Sequence, residues 1–247
     1  MKKVKQDNKL LEEIVTKLKN DTKWFGPMID SFKKVYYELG HGHREKTYQN
    51  FLCKELTLRK IENKKEYTVT YDAKESVKDK SFNLERTCGS LNLPLDRSSV
   101  EDEKIIGQRS NEDEKIIGQR SNDDEKVGQS NGRIDILLTE SKVTIEIKAI
   151  VGEPRPEDIR QLQNYLNSPS IDSNIGFCVN FPRKYQEGIT VVALIRKAWL
   201  SSKTVKDVEE EKDDEDDNNN CWLMFTMRLK VSPHKKHLLT DLGFCTI

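Results

Sequence analysis

The sequence predicts an α/β protein, and three patterns along the chain support this fold class. Apolar residues recur at helical spacing through residues 8–56. Apolar and polar residues then alternate through residues 132–150, where β-branched side chains predominate, and this alternation is typical of strands. Further helix and strand patterns follow in the C-terminal half. At 247 residues, we expect one domain of ordinary size that carries insertions.

The composition places the protein in the intracellular class. The five cysteines are scattered, and none forms a Cys-x-x-Cys pair or a Cys/His pair at zinc spacing, so we expect reduced thiols. The polar N-terminus does not resemble a signal peptide, and no apolar run has the length of a membrane helix. We therefore expect a protein of the cytoplasm or nucleus with no membrane association.

Three amphipathic helices are predicted in the N-terminal quarter. The first covers residues 8–20 within an N-terminal extension of residues 1–27, which ends at a Gly26-Pro27 break. The second should run from about Met28 to Leu39, with Gly40 as its C-terminal cap. The third follows Gly42 and carries Glu45 near its start. A glutamate at this place can simply complement the helix dipole, so it does not by itself indicate a site.

A strand at residues 66–73 precedes a long polar insertion, which we place at about residues 76–131. Residues 101–111 are repeated unchanged as residues 112–122, and a shortened copy spans residues 123–131. These copies are too short and too polar to stack as a solenoid, so we predict a disordered, solvated loop. An acidic docking motif is the alternative interpretation.

A predicted hairpin at residues 132–150 carries the most informative polar residues. If Glu140-Ser141 forms a two-residue turn, Asp135 lies opposite Glu146. Lys148 then shares a face with Glu146, because side chains two apart in a strand point the same way. Two opposed carboxylates repel each other, and a hard cation such as Mg²⁺ relieves that repulsion. An ordinary hairpin with a solvated polar face remains the alternative.

The remaining chain completes the predicted sheet. We expect a helix at residues 156–167 that carries Gln161 and Tyr165, followed by strands at residues 174–181 and 189–196. An acidic loop at residues 201–220 follows, in which residues 207–217 hold nine acidic residues and one lysine. A last strand and a tail occupy residues 221–247, and the strand should pair with residues 189–196.

Charge is strongly segregated although the formal net charge of the chain is zero. The acidic loop and the repeats hold the excess of acidic residues, which leaves the rest of the chain basic. A basic body favours a polyanionic partner such as nucleic acid. The acidic loop could instead bind a basic protein, and the sequence leaves a homodimer open.

The order of these motifs resembles the PD-(D/E)xK nuclease superfamily, and within it the GxxExxY family. The segment Gly42 to Tyr48, with Glu45 at its centre, matches that family's name-giving motif. The matching residues farther along the chain are Asp135 with the preceding Gly132, Glu146 and Lys148, Gln161 and Tyr165, and Asn180-Phe181. The resemblance covers about residues 28–195 and, as a domain, residues 28–200.

The resemblance implies a restriction-endonuclease-like core, in which helices flank a mixed central β-sheet in the order αβββαβ. The N-terminal helix, the long inserted loop and the C-terminal strand are extensions of that core. It also implies a site in which Asp135, Glu146 and Glu45 hold Mg²⁺ or Mn²⁺. Lys148 would orient or activate the attacking water and offset the phosphorane charge, and Gln161 would position the site or the substrate.

The function implied by this resemblance is hydrolysis of phosphodiester bonds in nucleic acid. DNA is favoured over RNA by the habit of the superfamily alone. A nuclease-like module that binds nucleic acid or a protein without catalysis is the alternative. The residues of the expected site are all present, so the sequence favours the enzyme.

Overall fold

The computed structural model describes residues 2–72, 84–92, 129–202 and 221–231, and these form five helices and seven strands. The helices are α1 (Lys2–Asp21), α2 (Phe25–Leu39), α3 (Glu45–Leu58), α4 (Pro156–Leu166) and α5 (Lys197–Ser202). The strands are β1 (Asn63–Asp72), β2 (Leu84–Asn92), β3 (Gln129–Leu138), β4 (Val143–Lys148), β5 (Ile175–Asn180), β6 (Ile189–Arg196) and β7 (Trp222–Leu229).

The strands form a single mixed sheet in the order β1-β3-β4-β5-β6-β7-β2. Neighbouring strands are antiparallel except for β4 with β5 and β2 with β7. The parallel pair β4–β5 is connected through α4, since parallel neighbours need a crossover. This mixed α/β architecture is consistent with a restriction-endonuclease-like fold and confirms the predicted fold class at that level.

Helices cover both faces of the sheet. Apolar side chains of α1, α2 and α3 join one face of β3 to β7 in a single buried cluster. The opposite face packs against α4 through Ile159, Leu162 and Leu166, which meet Cys178 and Val192. The strands β5 and β6 are therefore buried on both faces, which explains their nearly continuous apolar sequences.

A close approach between α4 and β5 depends on Gly176. A Cβ atom at this position would lie 2.9 Å from a methyl carbon of Leu162 and 2.9 Å from one of Leu166. The missing side chain thus lets the helix lie directly on the strand. This seating brings α4 over the C-terminal end of the neighbouring strand β4.

Two predictions in the N-terminal half need correction. Gly26 and Pro27 do not break the chain between helices but lie in the first turn of α2, where proline costs no helical hydrogen bond. Residues 84–92, inside the predicted disordered insertion, form the edge strand β2 and pair with β7. The last residues of the shortened repeat also enter β3 at Gln129, whereas the two full repeats lie outside the described residues.

The predicted pairing of the last strand with residues 189–196 is confirmed. The pairing between β6 and β7 runs from Ile189 with Leu229 to Arg196 with Trp222. Helix α5, which was not predicted, directly follows β6. The acidic residues 207–217 and the tail beyond residue 231 lie outside the described residues. Among the described helices, none has the length and apolar character that crossing a membrane requires.

Candidate active site

The β3–β4 hairpin has the predicted register but a longer turn. Ile136 pairs with Ile145, and Leu138 pairs with Val143. Residues 139–142 then form a four-residue connection instead of a two-residue turn, and Lys142 takes a left-handed conformation with φ of 54°. Alternation predicted this register correctly, because a slip of one residue would move every side chain to the other face of the sheet.

Asp135 lies where the strand β3 becomes irregular. Its neighbour on β1 is Glu66, a non-glycine residue with φ of 54°, and the β1–β3 pairing is interrupted at this point. Ile134 packs in the same cluster as Leu137, so strict alternation fails across Asp135. The Asp135 carboxylate instead accepts a hydrogen bond at Oδ2 from the backbone N–H of Ile147, at 2.7 Å. The side chain therefore joins β3 to β4 where the ladder between main chains stops.

Gln49 on α3 is a site residue that the sequence did not identify. Its Nε2 donates to the backbone oxygen of Asp135 at 2.8 Å and approaches Asp135 Oδ1 at 3.4 Å. The Gln49 side chain is buried, so this amide holds Asp135 in a largely dry environment. Burial is the largest cause that raises the pKa of Asp135, and the charge of Glu45 also raises it. The hydrogen bond from the Ile147 N–H and the charge of Lys148 act in the opposite direction. A polar residue on the inward face of an amphipathic helix was the available signal.

Glu146 is the most perturbed carboxyl group of the site. The residue is only 3% exposed, and its Oε1 lies 3.1 Å from Lys148 Nζ. Its Oε2 is buried and has no hydrogen-bond partner. Burial, followed by the charge of Asp135, raises the pKa of Glu146 to about 8 despite the ion pair with Lys148. Two carboxyl groups buried this close together repel each other when both are ionised, and Lys148 does not fully offset that repulsion.

Lys148 is held by three side chains at the end of β4. Besides Glu146, its Nζ donates to Gln161 Oε1 at 3.0 Å and lies 3.7 Å from Asp158 Oδ1. Burial lowers the pKa of Lys148, but Glu146 and Asp158 outweigh burial, so the net shift is upward. Lys148 is therefore a firmly protonated cation.

Helix α4 supplies the other partners of Lys148. The amide of Gln161 also donates to the Tyr165 hydroxyl at 2.7 Å, and this contact fixes its carbonyl oxygen toward Lys148. Tyr165 was expected only to pack, and it does so while buried, but it also orients Gln161. Asp158 was not predicted: it caps the start of α4 by accepting from the Arg155 N–H at 2.9 Å.

Glu45 reaches the site from the first residue of α3. It is exposed, and its Oε1 accepts from the Ala149 N–H at 3.1 Å, directly after Lys148. The turn before it needs Gly42, whose φ is 85° and whose N–H bonds Pro182 at 3.3 Å. Tyr48, one turn later, stacks on Phe181 with ring centroids 4.4 Å apart, as expected for a packing residue. These contacts fix α3 over the ends of β4 and β5.

Asn180, at the end of β5, shapes the loop that follows β4. Its Oδ1 accepts from the Ile150 N–H at 3.1 Å, and its Nδ2 donates to the Gly152 oxygen at 2.6 Å. The Asn180 residue is buried, whereas Gly152 is exposed, so the side chain links the loop at the surface to the interior. Asn180 thereby fixes the conformation of residues 150–152, which follow β4.

The structure brings all five predicted site residues to one end of β3 and β4. Glu45, Asp135, Glu146, Lys148 and Gln161 are connected by hydrogen bonds or by charge interactions. The oxygen donors suit Mg²⁺ or Mn²⁺, and the unpartnered Glu146 Oε2 is a free ligand atom beside a second carboxylate. In the described part of the chain, however, no three His, Cys, Asp or Glu residues form a ready metal cluster. The hydrogen bond from Ala149 engages only Oε1 of Glu45, which leaves Oε2 as a further oxygen donor.

Comparison with known proteins identifies a superfamily for part of the chain. Residues 22–86 match a family model described as the PD-(D/E)XK nuclease superfamily. The match includes α2, α3, β1 and Glu45, and it ends before Asp135, Glu146 and Lys148. No curated protein and no solved structure matches the chain significantly. Residues 22–86 are thus similar to this nuclease superfamily, and the mixed α/β fold of the described residues is consistent with that similarity.

Proposed function

We propose that this protein is a metal-dependent nuclease that hydrolyses phosphodiester bonds, with DNA as the favoured substrate. The observation that carries the proposal is the buried Glu146 carboxylate, which lies beside Asp135 and retains one oxygen without a partner. Lys148 on the same strand supplies the positive charge that phosphoryl transfer needs. An ordinary solvated hairpin would have no reason to bury these groups together.

The proposed ligands of Mg²⁺ or Mn²⁺ are Asp135, Glu146 and Glu45. A cation bound there lowers the pKa of a coordinated water and stabilises negative charge on the phosphate. The carboxylates have raised pKa values without it. Cation binding and proton binding therefore compete for the same oxygens.

Lys148 is proposed to stabilise charge instead of accepting a proton. Its raised pKa keeps the ammonium group protonated through the neutral range. An ammonium donates hydrogen bonds, so it can orient a water molecule and offset the charge of the pentacoordinate phosphorus. Gln161 and Asp158 hold Nζ in place, which lets the group act without reorganisation.

The elements α3, β1, β3, β4, α4 and β5 are proposed to be the αβββαβ core of the superfamily. In this assignment, β2 belongs to the insertion between the first and second core strands. Glu45 at the start of α3 supports placement in the GxxExxY family, because Gly42, Glu45 and Tyr48 each have a structural role in the site.

The test is a cleavage assay on plasmid, linear duplex and single-stranded DNA and on RNA, with Mg²⁺, Mn²⁺ or EDTA. Wild type is expected to cleave only with a divalent cation, and Glu146→Ala and Lys148→Ala are expected to abolish cleavage. Cleavage retained in both variants would overturn the site. Binding of nucleic acid without any cleavage by wild type would instead establish a binding module.

A further inference from the structure

A second charged group of residues lies on the exposed edge of the sheet next to the site. Glu66 on β1 contacts Lys46 Nζ at 2.6 Å and Arg133 Nη1 at 3.8 Å. Lys65 also lowers the pKa of Glu66 through its charge, so it lies nearby. We call these four residues the Glu66 cluster. Its three bases exceed its single acid, which leaves the cluster positively charged.

The backbone places this cluster directly beside Asp135. Glu66 lies opposite Asp135 where the pairing of β1 and β3 is interrupted, and its left-handed φ of 54° is unfavourable for a side chain with a Cβ atom. Arg133 is two residues before Asp135, and its charge lowers the pKa of that carboxyl group. Lys46 directly follows Glu45 on α3. The cluster and the site therefore share one continuous surface.

The basic side chains of the cluster are accessible. The Lys46 side chain is 63% exposed and that of Arg133 is 68% exposed, whereas Glu66 between them is 29% exposed. Exposed ion pairs contribute little to stability, so folding does not explain why the backbone adopts a strained conformation to place Glu66 there. A carboxylate between two cations carries the same single negative charge as a phosphodiester group and, like it, accepts charge-assisted hydrogen bonds through two oxygens.

We propose that the Glu66 cluster binds the phosphodiester backbone of the substrate, and that the Glu66 carboxylate occupies the place of one phosphate until the strand arrives. Lys46 and Arg133 bind the phosphate next to the scissile one, and Lys65 adds long-range attraction. The inference rests on the proposed nuclease function and extends it by naming the surface that positions the strand. DNA and RNA share this chemistry, since both present one negative charge per phosphate.

The test is equilibrium binding of a short fluorescein-labelled DNA duplex and of the matching RNA duplex in EDTA, over a range of salt concentrations. Lys46→Gln and Arg133→Gln are expected to weaken binding about threefold or more each and to reduce the salt slope by about one phosphate contact. Glu66→Gln is expected to tighten binding about threefold or more, because the competing carboxylate charge is gone.

The control variant is Lys9→Gln on α1. Lys9 is also exposed and paired with an acid, Glu13 at 3.8 Å, but α1 packs at the β2 edge of the sheet, opposite to β1. Its removal should leave binding unchanged. The gain expected for Glu66→Gln is opposite in sign to the loss that a folding defect would cause, so this variant separates the two explanations even if Lys46→Gln or Arg133→Gln is destabilised.

The outcomes separate the surface from the nuclease. The inference is overturned if Glu66→Gln binds no more tightly than wild type. It is also overturned if Lys46→Gln and Arg133→Gln both bind as wild type does, and in either case whether or not wild type cleaves. The expected order of affinities supports it even if wild type does not cleave, and the proposed function then fails alone. Equal losses on DNA and RNA indicate a backbone contact, whereas a loss on neither excludes one.

Discussion

Two groups of charged residues flank Asp135, and each contains an acid paired with a lysine. The pKa of the acid is lowered in one group and raised in the other. In the exposed Glu66 cluster, the hydrogen bond from Lys46 at 2.6 Å lowers the pKa of the acid. At the buried pair, Lys148 is 3.1 Å from Glu146, yet the pKa of Glu146 rises to about 8. Loss of hydration outweighs a single counter-ion in the buried pair, whereas water screens and solvates the exposed one.

Burial decides the direction of the pKa shift at Glu146, whereas the hydrogen bond from Lys46 decides it at the exposed Glu66. The buried carboxylates retain an electrostatic cost that a divalent cation can relieve. The exposed cluster retains no such cost, but its charges remain available to an incoming polyanion. Four experiments test whether this division holds.

The largest effect is expected from Lys148→Ala. Removing the ammonium group that contacts Glu146 should reduce cleavage by about a thousandfold or more, because transition-state charge loses its preorganised donor. The measurement is the initial rate of DNA cleavage at saturating Mg²⁺. Lys142→Ala is the matched control, since Lys142 lies in the turn of the same hairpin and pairs with Asp172 at the surface. A comparable loss in Lys142→Ala would show that the assay reports folding.

The next effect is the pH dependence of stability in EDTA. The folded protein keeps a proton on Glu146 up to about pH 8, whereas the unfolded chain loses it near 4.5. Stability should therefore be greatest below about pH 4.5 for this group and decrease toward pH 8, by at most about 1.4 kcal/mol per pH unit. Urea unfolding at several pH values measures this slope.

Two comparisons check the origin of that slope. Glu146→Gln should flatten it, whereas Glu140→Gln, an exposed change in the turn of the same hairpin, should preserve it. Mg²⁺ should raise stability more at pH 8 than at pH 5, because a metal ion competes with the proton. An identical slope in wild type and Glu146→Gln would contradict the proposed burial of charge.

A smaller effect is expected from Gln49→Ala, which frees the Asp135 carboxylate. Cleavage at a fixed low Mg²⁺ concentration should fall about tenfold, because more Mg²⁺ should be needed to reach the half-maximal rate. Supporting groups of this kind tune the placement of metal ligands. The Mg²⁺ titration separates positioning from a general loss of folding, which would lower the maximal rate alone. Leu58→Ala, at the exposed C-terminal end of the same helix, is the control. An unchanged Mg²⁺ requirement in Gln49→Ala would argue against this role.

The smallest effect concerns the stability of the Glu66 cluster. Glu66→Gln should change the free energy of unfolding by less than about 1 kcal/mol, as is usual for exposed ion pairs. Urea unfolding at neutral pH gives this value. A loss of several kcal/mol would mean that the cluster supports the sheet, and the contrast between the two groups of residues would disappear.

Local periodicity predicted the part of the arrangement that lies on β3 and β4. Alternation placed Asp135, Glu146 and Lys148 on one side of a hairpin, because side chains two apart in a strand point the same way. That these residues form a catalytic site stays a prediction. Glu45 and Gln161 were added through the resemblance to a family. Gln49 and Asp158 were missed as site residues because their contacts with Asp135 and Lys148 depend on tertiary structure.

The errors in the fold have related physical causes. Strict alternation could not reveal that Ile134 packs beside Leu137, because the irregularity at Asp135 depends on the conformation of Glu66 on another strand. The strand β2 has a weak local pattern and pairs with β7, far along the chain. Its pairing is a long-range property that no window of sequence contains.

The position of β2 has a consequence for the order of assembly. Leu84 pairs with Trp222, so this edge strand must wait until more than 130 further residues have been synthesised before it finds its partner. The opposite edge can form earlier, since β1 pairs with β3 and β3 continues into β4. Such distant pairing slows folding. Until β2 docks, the open side of β7 is exposed to other chains, and a nascent molecule is most prone to aggregation at this stage.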